Sequence, residues 1–203
     1  KNTFFSNTSA IGGGQKCAQM FVGVETRLTN VYGVNTTKQF VNTLQDNIRQ
    51  RGAMSKLISD RAQLEISTRV KDVLRALHIS DWQSEPHHQN QNPSERRYGT
   101  VKEWTNRTMD RSGAPPKAWL LCMMWVCYIL NRTATGSLDF DTPLRRHTGQ
   151  TTDITNMLRF CFWEEVLFIR PSAKFPSDST EALGRIVGFS EHVGNDMCYQ
   201  VYT

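Results

Sequence analysis

Lys56-Leu57-Ile58-Ser59-Asp60 is a short apolar run that ends in a carboxylate, the pattern of a buried strand that delivers an acid from its tip. Thirty-five positions after Asp60, Asn92-Pro93-Ser94-Glu95 announces a helix. Asn92 can cap it, Pro93 suits its first position, and Glu95 falls in the first turn, where the helix dipole favours negative charge. An acid from a strand end and an acid from a helix start can converge on one divalent cation. A two-metal phosphoryl-transfer site ordinarily has a third carboxylate, yet the first 24 residues contain neither Asp nor Glu.

Upstream of this run, residues 17–24 and 28–34 read as two strands joined at Glu25-Thr26-Arg27, and Thr3-Phe4-Phe5 supplies a third strand of an antiparallel meander. Residues 37–51 carry Phe40, Val41, Leu44 and Ile48 at helical spacing, and Gly52 closes that helix. Downstream, Leu64, Val70, Val73, Leu74 and Leu77 mark a second amphipathic helix, followed by a short strand over 79–83. The polar stretch 84–93 reads as a loop, and two helices follow over roughly 94–111 and 116–131. The order βββαβαβ and then helices is that of the ribonuclease H-like fold. The expected fold class is α/β, a mixed five-stranded sheet flanked by helices. Beyond residue 151, short β-like runs at 162–169, 184–190 and 197–202 predict a small β-rich module. The expected division is a catalytic core over 1–135, a linker over 136–154 and a barrel-like module over 155–203.

A chain of 203 residues can bury one sizeable core. Hydrophobic residues at 38% and charged residues at 21% describe a globular protein and exclude a disordered one. The net charge of +5 favours an anionic partner such as nucleic acid, without requiring one. The five cysteines include no CxxC pair and read as reduced thiols of an intracellular protein. The longest apolar run, residues 118–130, is too short to span a bilayer and reads as a buried helix, with no membrane partner. Asn-x-Ser/Thr matches at Asn7, Asn35, Asn106 and Asn131 are read as chance. The chain opens on Lys1, which suggests a segment of something longer.

Ile58-Ser59-Asp60-Arg61-Ala62, Glu85-Pro86 and Gln91-Asn92-Pro93-Ser94-Glu95 together resemble the integrase core of copia-like LTR retrotransposons, which has S-D-G-A followed by E-P-Y-S-P-W-Q-N-R-A-E. The resemblance continues through Gly113-Ala114-Pro115, Trp119, Asn131-Arg132-Thr133-Ala134, Thr142-Pro143 and Thr148-Gly149-Gln150-Thr151-Thr152-Asp153-Ile154. Lys174-Phe175-Pro176-Ser177, Gly184-Arg185 and His192-Val193-Gly194-Asn195-Asp196 look like the module that follows that core.

The resemblance implies DNA integration by metal-dependent strand transfer at a DDE-type triad binding Mg²⁺ or Mn²⁺. It also implies DNA ends and target DNA as partners, a homo-oligomer to pair the ends, and a nuclear location. Carried over by position, Asp60 is the second acid and Glu95 the third, while the first falls at Asn2, where Asn2-Thr3-Phe4-Phe5-Ser6 stands in place of D-T-x-F-S. An amide can coordinate through its carbonyl but brings no negative charge, so loss of most activity is expected. His87-His88-Gln89-Asn90 replaces Y-S-P-W, and Pro93 and Arg96 replace the usual Arg and Gly around the glutamate. The resulting alternative is a catalytically silent nucleic-acid-binding or interaction domain. A ribonuclease H-like hydrolase of another kind is a third reading.

Lys102 lies seven residues after Glu95, on the same helix face, within reach of a DNA phosphate, although a solvated surface lysine fits the spacing as well. Arg96, Arg97, Arg107 and Arg111 continue a basic helix, although Arg96 and Arg97 point in different directions so that not all can contribute, and Gln91 and Asn92 precede it as further nucleic-acid candidates. Glu85, His87 and His88 could ligate a transition metal, but adjacent histidines in a polar loop more often face water. Trp119 and Trp125, with Leu120, Leu121, Met123, Met124 and Val126, read as core, and Asp139 and Asp141 as structural or solvent-facing loop acids.

Overall fold

A computed structural model describes residues 2–59, 68–83, 93–170, 174, 177–191 and 198–203. It begins with the expected meander: β1 (Asn2–Phe5), β2 (Cys17–Val22) and β3 (Thr29–Val34) pair antiparallel in that order, with Asn2 opposite Met20 and Met20 opposite Val31. A 3-10 turn over Thr37–Gln39 leads into α1 (Phe40–Arg51), which ends at Gly52, where a φ of 87° suits a residue without Cβ. β4 (Lys56–Ser59) and β5 (Ser80–Gln83) pair in parallel, with α2 (Thr68–Ala76) between them in sequence. Then come α3 (Pro93–Ser112), a 3-10 turn over Pro116–Ala118, α4 (Trp119–Arg132), and the six-residue α5 (Pro143–Thr148).

Strand alternation sends the side chains of β2 to two cores. Ala18 and Met20 join Phe4, Val31, Val101, Cys122 and Trp125 under α3 and α4. Phe21 joins Phe40, Leu44, Leu57, Val70, Leu74 and Ile79 against α1, α2 and β4. The result is a mixed α/β architecture with helices on both faces of the strands. The fit of α4 on β3 is close: a Cβ on Gly33 would stand 2.5 Å from Leu120 Cδ2.

Among the described residues the expected five-stranded sheet is two pieces, β1-β2-β3 and β4-β5, with no ladder between β1 and β4. The described residues of β1 pair with Cys17–Met20 of β2. Met124 also departs from expectation, lying 46% exposed on α4 while Trp125 is buried.

The last three strands, β6 (Glu165–Ile169), β7 (Glu181–Phe189) and β8 (Tyr199–Tyr202), form an antiparallel sheet in that order. It packs directly on α4. Phe189 stacks on Trp125 at 4.3 Å and on Tyr128 at 4.1 Å between ring centroids, and Ile186 and Val187 belong to the same cluster. Glu191 joins the parts electrostatically, reaching Arg51 at 3.2 Å and Arg132 at 3.1 Å. Between α4 and this sheet, Thr142 caps α5 by accepting from Arg145 N at 3.2 Å, Pro143 opens it, and Gly149 closes it at φ 75°. The spacing of Thr142-Pro143 and Gly149 thus frames one short helix.

The buried side chain of Asn131 meets the backbone of Thr29 on both sides: its Oδ1 accepts from Thr29 N at 2.8 Å and its Nδ2 donates to Thr29 O at 2.7 Å. Truncation leaves two buried backbone groups without partners. Asn131→Ala is therefore expected to cost about 2–4 kcal/mol in urea unfolding, with Asn131→Asp intermediate because it keeps an acceptor. A loss below about 0.5 kcal/mol would mean that Thr29 does not depend on this pair.

Candidate functional site

α3 is the platform of the candidate site. Its inward stripe is Ser94, Arg97, Tyr98, Val101 and Thr105, the 3.6-residue period of a helix packed on one side. Glu95, Gly99, Lys102 and Asn106 line the opposite, exposed side, so Glu95 and Lys102 share a face. Arg96 and Arg107 are also exposed, and Arg107 pairs with Glu103 at 2.6 Å, which offsets part of its charge.

Two contacts bring the start of α3 to the strands. Tyr98, one turn after Glu95, stacks on Phe4 of β1 with ring centroids 4.0 Å apart. Ser94, immediately before Glu95, and Ile58, two residues before Asp60, line one cavity of about 570 Å³. β1 and β4 therefore each lie beside the first two turns of α3. Asp60, Gln91 and Asn92 themselves lie outside the described residues, as do Glu85, His87 and His88, and of Asn2 only the strand position is described. Ser59, the last residue of β4, has a buried Oγ with no hydrogen-bond partner among the described residues. No group of three His, Cys, Asp or Glu side chains gathers among those residues.

Arg96 and Arg97 point in different directions, and Arg97 is the one turned inward. Its Nε donates to Thr29 Oγ1 at 2.9 Å and its Nη2 to Leu130 O at 3.3 Å. Burial lowers its guanidinium from the ordinary arginine value. A helix packed on one face must point one residue of an adjacent arginine pair inward, and the pair at 96 and 97 sends Arg97. Arg97 therefore anchors α3 and is not available to a phosphate.

The remaining chemistry-bearing groups have structural places. Asp141 accepts from Thr142 N at 2.8 Å and stands 3.7 Å from Arg145, serving the start of α5. All five cysteines are free. Burial pushes the thiols of Cys122 and Cys127 up to about 12, which keeps them protonated and poor metal ligands. No helix among the described residues is long and apolar enough to cross a membrane. Sequence reasoning missed the inward roles of Arg97 and Asn131. The available signal for Asn131 was an amide directly following the apolar run of α4, a position that requires a hydrogen-bond partner once buried.

No protein-family model matches the chain, and no curated protein matches it. Solved structures do. The magnesium complex of the HTLV-2 integrase catalytic core domain, in its trimeric form, is similar with a TM-score of 0.54 at 15% identity, covering 72% of this chain and 90% of that one. Its dimeric form gives a TM-score of 0.53 at the same identity and coverage. The catalytic core domain of BIV integrase gives 0.54 at 16% identity, covering 73% of this chain and 91% of that one. At such identities the likeness is one of fold, and the chain has the fold of retroviral integrase catalytic cores.

Proposed function

We propose that the chain is an integrase catalytic core from a copia-like LTR retrotransposon, descended from a metal-dependent DNA strand transferase and inactive or nearly so as it stands. One observation supports the reading: β1 and β4, to which the resemblance assigns the first two acids, both lie beside the first two turns of α3, to which it assigns the third. Phe4 stacks on Tyr98, and Ile58 shares a cavity with Ser94. The fold shared with the HTLV-2 and BIV cores supports it, and the magnesium in the HTLV-2 complexes supports a hard dication as the cofactor. On this reading β4 and β5 extend the meander into one five-stranded sheet, residues 1–135 are the core, and 155–203 are the module that follows it. The partners are DNA ends and target DNA, the assembly is a homo-oligomer, and the site of action is the nucleus.

The donor set limits the chemistry. Two carboxylates, Asp60 and Glu95, with the neutral amide of Asn2, suit one Mg²⁺ or Mn²⁺ but lack the charge to hold two dications side by side. When bound, such an ion would polarise a phosphodiester oxygen and favour ionisation of an attacking hydroxyl. Glu95 gains from its place in the first turn of α3, where the helix N-terminus favours a carboxylate. Lys102, on the same exposed face, would meet a backbone phosphate, with Arg96 and Arg107 adding sequence-independent attraction and Gln91 and Asn92 contributing from the preceding segment.

Restoring the acid tests the reading. Asn2→Asp is expected to raise Mg²⁺-dependent strand transfer on DNA ends by at least about tenfold. No gain would argue that the site has decayed beyond one position.

The missing charge and the exposed cations of α3 also support the second reading, a silent DNA-binding domain. On either reading, Asp60→Asn leaves DNA affinity in place. Lys102→Ala lowers the slope of log affinity against log salt by about 1, while Arg97→Met leaves that slope unchanged and lowers the urea midpoint. Salt-independent binding, or an Arg97→Met slope change equal to that of Lys102→Ala, would remove this assignment.

A further inference from the structure

α3 leaves one aromatic ring largely in solvent: Trp104 is 46% exposed. It has no ring, cation or hydrogen-bond partner among the described residues, so its face and its indole N–H are both open. At about 100° per residue, Thr100, Arg107 and Arg111 share its flank of the helix. Glu95 and Lys102 fall nearly opposite, so this flank is not the face that carries the candidate acid. Glu103 and Asp110 lie a quarter-turn or more from Trp104, beyond Arg107.

Thr100 turns its hydroxyl back onto Arg96 O at 3.2 Å. Helical side chains lean toward the N-terminus, and this short, tethered residue one turn before Trp104 leaves the ring uncovered. Arg107 and Arg111 stand one turn apart on the other side of the ring, about 6 Å along the axis. Arg107 shares part of its charge with Glu103, while Arg111 is exposed and has no ion pair among the described residues.

A flat ring bordered by guanidinium groups discriminates among polyanions. An acidic peptide would engage the arginines and leave the indole in water. A duplex would offer its phosphates, but its bases keep their faces inside the stack. An unpaired nucleotide uses the whole surface: its base stacks on the indole and its phosphates meet the arginines.

We propose that Trp104, with Arg107 and Arg111, is a docking site for the unpaired nucleotides of a single-stranded polynucleotide. The site tolerates any sequence, because every base has a π-face. It holds the strand on the flank of α3 turned away from Glu95 and needs no metal, so it stands or falls separately from strand transfer.

The test uses the full chain in the presence of a chelator, with a thymidylate dodecamer and a blunt-ended duplex of equal length. The single strand is expected to quench indole emission. Trp104→Phe is expected to remove most of that quench while holding affinity within about threefold, because phenylalanine still stacks. Trp104→Ala is expected to weaken the single strand by about tenfold or more and the duplex by less than about twofold. Arg111→Ala lowers the slope of log affinity for the single strand against log salt by about 0.7. No binding of the single strand, a quench that persists in Trp104→Phe, equal losses for strand and duplex in Trp104→Ala, or competition by polyglutamate as effective as that of unlabelled dodecamer would overturn the proposal.

Discussion

Asn131 closes two hydrogen bonds onto the backbone of Thr29, and the same threonine accepts from the guanidinium of Arg97. Thr29 begins β3, Asn131 ends α4, and Arg97 lies in the second turn of α3, so one buried polar knot ties a strand to two helices. Apolar packing alone would allow α3 to slide or rotate on β1 and β2. Hydrogen bonds with fixed partners allow one register, and a half-made network in a dry interior costs more than none. Because Arg97 is two residues from Glu95, the knot also sets where the acid at the start of α3 stands.

From that register the surrounding architecture follows. Tyr98 reaches Phe4, Val101 fills the core, and Glu95 and Lys102 are left on the open face. α4, held at its end by Asn131 and pressed on Gly33 through Leu120, then offers Trp125 and Tyr128 to Phe189 of β7. The C-terminal sheet therefore rests on the integrase-like core through aromatic stacking, and Glu191 adds an ion pair to each of α1 and α4.

Much of this was legible in the sequence because it is local. The strand-like runs at 17–24 and 28–34, helical spacing at Phe40, Val41, Leu44 and Ile48, and Thr142-Pro143 with Gly149 each act over a few residues, and the elements formed where those signals stood. The polar knot was not legible, because Thr29, Arg97 and Asn131 are up to 102 positions apart and the same residue types ordinarily face water. The divergence of Arg96 and Arg97 was legible, but not which of the two the packing turns inward. At the candidate site the sequence assigned Asp60 and Glu95 through their motif, and the structure adds a cavity lined by both Ile58 and Ser94 and the stacking of Phe4 on Tyr98.

The central claim is that the tip of β4 and the start of α3 present two carboxylates to a single cation. It is tested most directly by the anomalous signal of manganese in crystals of the unaltered chain grown with Mn²⁺. The account predicts one manganese within about 2–2.5 Å of carboxylate oxygens from both Asp60 and Glu95. Manganese bound elsewhere, or the two carboxylates on opposite sides of the strands, would contradict it.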